Sequence, residues 1–306
     1  MPMSQYQHGF DHGVSVRGMP LLNTYGGDVY WVDSNAGSDT NKGTFKHPFS
    51  TIDKAISMCA ANNGDVIMLK PGHAEDLSDA TTFQVDTAGI KIVGLGNGAD
   101  RPTFTYTGTG GSVEIDSANT WIENIILKAS VSAVVAGVNV DADDCTLVGV
   151  EWDYDETGDD FLIMLDVVDA ANCKVIKPLW NAESAAGAAR AVHLDNADGF
   201  QCINPVSFGD YSGAVIESDT DDDTGDAGNV STHILITGGN LQNDDTGGRV
   251  IDFDSANTGI ISYNALSGGS AGLSTIIDPG SCHCVENYGV TATDVTGAAV
   301  PQTADT

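Results

Sequence analysis

The residues with the clearest capacity for chemistry are carboxylates. Glu151, Asp153, Asp155, Glu156, Asp159 and Asp160 crowd into one short stretch that also holds Trp152 and Tyr154. A glycosidase needs two carboxyl groups at a suitable separation, one as acid and one as base or nucleophile, and aromatic rings serve as platforms for sugar faces. A chain with 43 acids produces such crowding by composition alone, so the stretch reads equally as a solvated insertion loop. Asp219-Thr220-Asp221-Asp222-Asp223-Thr224-Gly225-Asp226 has the density of a calcium loop. Its glycine stands at the seventh place instead of the sixth, and Val230 occupies the twelfth, where an EF-hand loop requires Glu. Cys282-His283-Cys284 offers soft ligands, but neighbours on a strand point to opposite faces and no fourth ligand is evident. His8, His12, His47, His73, His193 and His233 are isolated, without a Ser or Cys nucleophile in context. The expectation is therefore no catalytic site, no metal site and no cofactor.

The charge balance narrows the partners. The 306 residues carry 43 acids against 12 bases, a net −31, which excludes partners held through phosphate contacts, nucleic acid and anionic membrane among them. A lyase that eliminates across a uronate needs a cation against the substrate carboxylate, and here the bases are scattered, with Lys174, Lys177 and Arg190 the nearest to a cluster. Hydrophobic residues at 41% and charged residues at 18% give a chain that folds. No stretch reaches the roughly 20 apolar residues of a membrane span. The segment from Met1 to Phe10 has neither a basic start nor an apolar core, so the expectation is no signal peptide and folding in a cytoplasm. Six cysteines, thinly spread, read as buried free thiols.

What positions these residues is a repeat. An apolar residue followed by Asp, any residue, a small residue and a polar one recurs with Asp86, Asp116, Asp141, Asp169, Asp195, a degenerate Asp226, Asp254 and Asp278. The steps run from 24 to 31 residues and average about 27, a solenoid period. Apolar residues stand one position before the Asp, and two positions earlier come Phe83, Val113, Val138, Val192 and Ile251, the alternation of a half-buried strand. Another apolar position recurs six residues after the Asp, as in Ile92, Ile122, Leu147, Val175 and Ile260. Each cycle thus holds at least two short strands around a tight corner, and nothing between cycles has a helical stripe. Leucine is too sparse for a leucine-rich repeat, and the Gly-Gly-x-Gly-x-Asp tandems of a calcium-binding roll are missing. The fold class is an all-β solenoid, a single-stranded right-handed parallel β-helix of about eight to ten turns.

Stacked turns lie about 4.8 Å apart, where like charges repel by roughly 1 kcal/mol even in water. The Asp column therefore needs compensation. The structural reading is an Asx turn, each carboxylate accepting the amide two residues on while the polar fifth residue takes a left-handed backbone. The functional reading is a row of carboxylates holding calcium. Turn chemistry accounts for the same residues, and the eight aspartates are taken as a structural ladder. Cys145, Cys173 and Cys282, each four residues after its Asp, are expected to stack inside.

Ahead of the repeats, Ser50 with Asp53 forms an acidic variant of the capping box, and Ile52, Ala55, Ile56 and Cys59 fall on one face of a short helix laid over the open end. Asn62-Asn63-Gly64-Asp65 ends it, and Val66-Ile67-Met68-Leu69 reads as the first buried strand. The run Tyr30-Trp31-Val32-Asp33, Gly37-Ser38-Asp39, Gly43-Thr44 and Pro48-Phe49-Ser50-Thr51-Ile52, followed by the Gly-Asp-Val-Ile strand, resembles the opening segment of right-handed parallel β-helix proteins of the pectin-lyase-like class, most of all those encoded by bacteriophages. The resemblance spans roughly residues 28 to 290 as architecture, and it identifies fold better than activity. The division is an amino-terminal arm (1–28), an opening segment with helix (29–65), the β-helix (66–289) and a polar tail (290–306).

The resemblance implies a non-enzymatic virion surface protein, a head decoration, fibre or tail spike, with other virion proteins as partners and a homotrimer as the assembly. The arm offers Phe10, His12, Val14, Val16, Arg17, Leu21 and Leu22 for docking, or folds back on its own solenoid. The alternative is a polysaccharide-degrading or glycan-binding spike that uses an acidic pair. A secreted adhesin is a further alternative, weakened by the amino terminus.

Overall fold

In the computed structural model the chain is a parallel β-helix. Described are residues 27–182, 188–218, 230–269, 272–273, 275–291 and 296–300, together with the backbone of 14–16 and 19–21. Three sheets of ten, ten and eight strands run the length of the coil, and within each sheet the strands follow chain order. One turn shows the pattern: Lys91–Gly94 in the first sheet, Thr103–Tyr106 in the second and Val113–Ile115 in the third, before Trp121–Glu123 returns to the first. Each strand pairs in parallel with its counterpart one turn on, as in Ile92↔Ile122↔Leu147↔Val175. This is the all-β right-handed type of solenoid that the period indicates. Each turn holds three strands, within the expectation of at least two. Among the described residues no helix is long and apolar enough to cross a membrane.

Alternation builds the core. In the third sheet Phe83, Val113, Val138, Leu165, Val192 and Ile251 point inward and are fully or almost fully buried. In the second, Phe104, Leu127, Trp152 and Trp180 form an interior column, with Trp152 and Trp180 centroids 6.2 Å apart. Cys145, Cys173 and Cys202 are buried thiols, and burial pushes Cys145 up to about 11, so these sulfurs stay protonated inside the coil.

Two corners are ladders of left-handed backbone. At the corner after the third sheet, Asn62, Gly89, Asn119, Asp144, Asn172, Gly199 and His233 all have positive φ. Their amides bond to the next turn, as in Asn119 N to Asp143 O (3.1 Å) and Asp144 N to Ala171 O (2.8 Å). At the corner between the first and second sheets, Asn124, Gly149, Lys177, Asn204, Gly238 and Tyr263 do the same, and Glu286 in the last turn also has positive φ. Inter-turn hydrogen bonding fixes these dihedrals, so even Lys177 and Tyr263 adopt them despite the cost of roughly 1–2 kcal/mol for a non-glycine residue. Gly94 is required for another reason: a Cβ there would lie 2.1 Å from Asn124 O, whose own side-chain amide donates to Gly94 O at 2.8 Å. Gly94→Ala is expected to destabilise by about 1–3 kcal/mol. Gly149→Ala, with nothing within 4 Å of its Cβ but φ at +59, should show only the backbone cost of roughly 1 kcal/mol. Thermal melts of the two variants check the difference.

The opening segment is bound to the coil by buried acids. The first strand of the first sheet is Val29–Val32, ahead of Val66–Leu69, with which it pairs. Helix Ile52–Ile56 buries Ile52, Ala55 and Ile56 and touches the strands Val29–Val32 and Phe83–Val85. Its N-cap is Thr51, whose hydroxyl accepts from Lys54 N at 3.3 Å, and not Ser50. Asp39 Oδ1 accepts from the amides of both Ser50 and Thr51, at 2.9 and 3.1 Å, and so fixes the approach to the helix. Asp65, 1% exposed, accepts from Asp28 N, Asn63 Nδ2 and Ala60 N, each at 2.7 Å. His73 is buried as well; its Nδ1 accepts from Ser34 N at 3.0 Å. Its Nε2 sits 3.0 Å from Glu75 Oε1, an electrostatic contact with poor hydrogen-bond alignment, and Glu75 Oε1 also accepts from Ile52 N at 2.6 Å.

Toward the amino terminus, Val14–Val16 and Met19–Leu21 pair antiparallel. Phe10, His12, Arg17 and Leu22, and the side chains of Val14, Val16 and Leu21, lie outside the described residues, as does Asp226. At the other end, Ala298–Ala299 folds back antiparallel on Tyr288–Thr291.

Candidate functional site

The outward face of the third sheet gathers the carboxylates. Between the inward apolar residues of each strand stands one polar residue, and the register stacks them as Gln84, Glu114, Asn139, Asp166, His193, Glu217, Asp252 and Asp278. The apolar partners of this alternation mark the strand in the sequence, whereas the polar residue between them is the one that faces out. The signal was present in Val113-Glu114-Ile115, Val138-Asn139-Val140 and Ile251-Asp252-Phe253.

Two residues further on lies the expected aspartate column. Asp116 and Asp141 stack, each backbone amide bonding to the turn before it, at Val85 O and Ile115 O, both 3.1 Å. Asp195 pairs with Val168, which stands where Asp169 was expected. Asp169 is displaced by one residue inserted before the corner: it adopts φ +50 and bonds through its amide to Asp195 O. Asp278 is displaced too, pairing with Asp252 and not with Asp254. The expected Asx bond, from the amide two residues on, is found at 3.5 Å for Asp278 with Gly280. Asp86, Asp116, Asp141 and Asp169 instead take bonds from Thr87 Oγ1 (3.2 Å), Gln84 Nε2 (2.6 Å), Asn139 Nδ2 (3.4 Å) and Asn196 Nδ2 (2.6 Å). The corners are already held by inter-turn backbone bonds, which frees these carboxylates to face outward.

Glu114, Asp116 and Asp141 converge so that one carboxylate oxygen from each lies within 4.8 Å of the others. Burial raises the Asp141 pKa above its ordinary value, and the negative charges of Glu114, Asp116, Asp166 and Asp169 raise it further. Asn139 donates to Glu114 Oε2 at 3.1 Å, while its Oδ1 is buried and takes no hydrogen bond among the described residues. Three hard oxygens so spaced could also surround a divalent cation. Further along, His193 Nδ1 lies 2.8 Å from Asp166 Oδ1, and Arg190 pairs with Glu217 at 2.7 Å. Asp252 is likewise raised by burial, although Arg249 beside it pulls the other way. Chemically the arrangement places one carboxyl with a raised pKa beside two further carboxylates, a pairing of the kind that acid–base catalysis uses.

The raised value has a stability consequence. Folded Asp141 binds a proton more tightly than the unfolded chain does, so its contribution is fully present below the unfolded pKa and is lost as pH rises through the folded one. Asp141→Asn is therefore expected to raise the neutral-pH melting temperature, by on the order of 1–2 °C at so solvent-screened a site. The gain should vanish near about pH 3; calorimetry at both values checks the sign.

The crowded stretch at 151–160 is a different matter. Trp152 is fully buried, because alternation turns it into the core, and it cannot serve as a sugar platform. Its acids serve structure: Glu151 pairs with Arg101, Asp155 with Lys128 at 2.6 Å, and Asp153 accepts from Asn181 at 2.7 Å. Asp159 accepts from Glu156 N at 3.2 Å, and Asp160 from Ala133 N. The acidic run 219–226 lies outside the described residues. Cys282 is buried, Cys284 half-buried and His283 exposed, as strand alternation requires, and burial raises both thiols, to about 12 and about 11.

Fold and face together define a parallel β-helix protein with an acidic third sheet. A family described as a protein of unknown function, DUF1565, matches residues 35–151. Among solved structures, a rhamnogalacturonan lyase is similar with a TM-score of 0.48 and 13% identity, over 80% of this chain and 75% of that one. A GH136 lacto-N-biosidase from Eubacterium ramulus is similar with a TM-score of 0.22 and 10% identity, over 86% of this chain and 67% of that one. No curated protein sequence matches.

Proposed function

We propose that the protein acts on glycan along the outer face of the third sheet, with Asp141 as proton donor and Glu114 or Asp116 as its carboxylate partner. The observation that supports this reading is the convergence of the three carboxylates together with the raised Asp141. Their oxygens lie within 4.8 Å of one another, nearer the about 5–5.5 Å of a retaining glycosidase than the roughly 6.5–9.5 Å of an inverting one. The ladder of carboxylates and amides presents acceptors and donors to successive sugar hydroxyls. A neutral or cationic polysaccharide is the class that fits, since a net charge of −31 repels an anionic one. The test is reducing-end release from a panel of neutral and amino-sugar polysaccharides. Release is expected from at least one, with a loss of about 10²-fold or more in Asp141→Asn while retention on the same polymer persists. No release from any member, or full activity in the variant, would contradict the assignment.

A second reading is a structural protein on a virion surface, with other virion proteins as partners and three copies assembled. It is supported by the resemblance of the Tyr30–Ile52 run and by the shallowness of the acidic face. A cavity of about 360 Å³ lies at the carboxy-terminal end beside Cys282 and Val300, away from that face. Attachment to particles without glycan release favours this reading.

A further inference from the structure

A glycine that follows asparagine has no side chain to shield its backbone nitrogen from the asparagine carboxamide. The sequence has two such pairs, Asn63-Gly64 and Asn97-Gly98, and one aspartate counterpart, Asp198-Gly199. The fold treats the three differently. Asn63 Nδ2 donates to Asp65 Oδ1 at 2.7 Å, and Gly64 packs so closely that a Cβ on Gly27 would lie 2.1 Å from Gly64 O. Asp198 Oδ1 accepts from Thr232 Oγ1 and lies 2.7 Å from His233 Nδ1, and these contacts hold its carboxyl below the ordinary pKa, ionised and unsuited to losing an oxygen. Asn97 is exposed and stands just before the short 3₁₀ turn Gly98–Asp100, and its side chain makes no capping hydrogen bond. Gly98 has φ +56, and nothing lies within 4 Å of where its Cβ would be. Its amide opens the turn, a position whose N–H has no partner inside the helix.

We propose that Asn97 is a covalent modification site of the folded protein, deamidating through a cyclic imide with water as the co-reactant. The Gly98 backbone nitrogen attacks Cγ of Asn97. A C–N bond forms, the Cγ–Nδ2 bond breaks, and ammonia leaves carrying the Gly98 amide proton. Water then adds to either carbonyl of the imide and one ring C–N bond opens, giving aspartate or isoaspartate at residue 97. The net change replaces NH2 by OH, with no oxidant or reductant. Attack requires Asn97 to turn away from its ψ of 149, and two turn bonds at the surface resist this, Asp100 N to Asn97 O at 3.1 Å and Arg101 N to Gly98 O at 3.3 Å. Asn63 must in addition give up its bond to a buried carboxylate, which slows it by about tenfold or more. The isoaspartyl product lengthens the main chain at this corner, adds a negative charge close to Asp100, and moves Gly98 O relative to Arg101 Nε, which donates to it at 3.2 Å. The inference is independent of the glycan reading.

The test is peptide mapping by mass spectrometry of the full chain kept folded for weeks in mildly alkaline buffer, beside a sample kept in guanidinium chloride. In the folded sample the peptide with residue 97 is expected to gain about 1 Da and to split into aspartyl and isoaspartyl forms on chromatography. It should do so about ten times faster than the peptide with residue 63, or more. In guanidinium the two asparagines should convert at similar rates, because the difference between them is made by the fold. Asn97→Gln, whose longer side chain closes such a ring far less readily, should keep the peptide intact and leave the thermal melt unchanged. An unconverted residue 97 in the folded wild type overturns the proposal. Equal rates at residues 63 and 97 in the folded protein overturn it too, as does a preference for residue 97 that persists in guanidinium.

Discussion

Asp65→Ala is expected to destabilise the protein by about 3–5 kcal/mol, because it removes at once three hydrogen bonds to one buried carboxylate. The Asp65 carboxylate takes the amides of Asp28 and Ala60 and the side-chain amide of Asn63. These belong to the approach to the first strand, the exit from the helix and the turn into Val66–Leu69, so one side chain joins three segments of the amino-terminal end. Asp65→Asn keeps an oxygen for two of the donors and turns an amide toward the third, for an expected loss of about 1–3 kcal/mol. Hydrogen exchange locates the effect: the amides of Asp28, Ala60 and Val66 should exchange far faster in Asp65→Ala, while those of the carboxy-terminal turns keep wild-type rates, as expected of a coil whose turns contact only their neighbours. Uniform acceleration along the chain, or none, would show that Asp65 does not hold this end.

Trp152→Ala is expected to cost about 3–5 kcal/mol, a fall of roughly 6–20 °C in melting temperature. The indole is fully enclosed between Leu127 and Trp180 in the second-sheet column, and a Cβ at Gly137 would approach its Nε1 to 3.0 Å. Truncation leaves a cavity the rigid coil cannot close. A sugar platform would behave in the opposite way, with an unchanged melt and weakened retention on glycan, so one variant separates a core residue from a surface one.

The coil was legible because its turns repeat. The Asp-x-small-polar corner announces itself every 24 to 31 residues, and the fifth position does adopt the left-handed backbone at Gly89, Asn119, Asp144 and Asn172. The other corner left no such mark. Lys177 and Tyr263 take left-handed dihedrals that their side chains do not favour, imposed by their bonds to the next turn. Register slips were equally invisible. One inserted residue moves Asp169 out of line with Asp141, and a motif match does not register an insertion that the following corner absorbs.

The acidic site was legible only in halves. Asp116 and Asp141 stood out as corner residues, whereas Glu114, Asn139 and Asp166 looked like ordinary solvent-facing positions of a strand. Their convergence depends on stacking turns whose members lie about 25 to 28 residues apart. Density in sequence pointed instead to residues 151–160, where the acids turned out to be occupied with ion pairs and turns.

NMR titration of the Asp141 side-chain carboxyl tests the glycan site most directly. Its midpoint is expected above the ordinary value of 3.8 in the wild type, falling back toward that value in Glu114→Gln and Asp116→Asn. A wild-type midpoint at or below 3.8, unmoved by either substitution, would contradict the assignment of Asp141 as the proton donor.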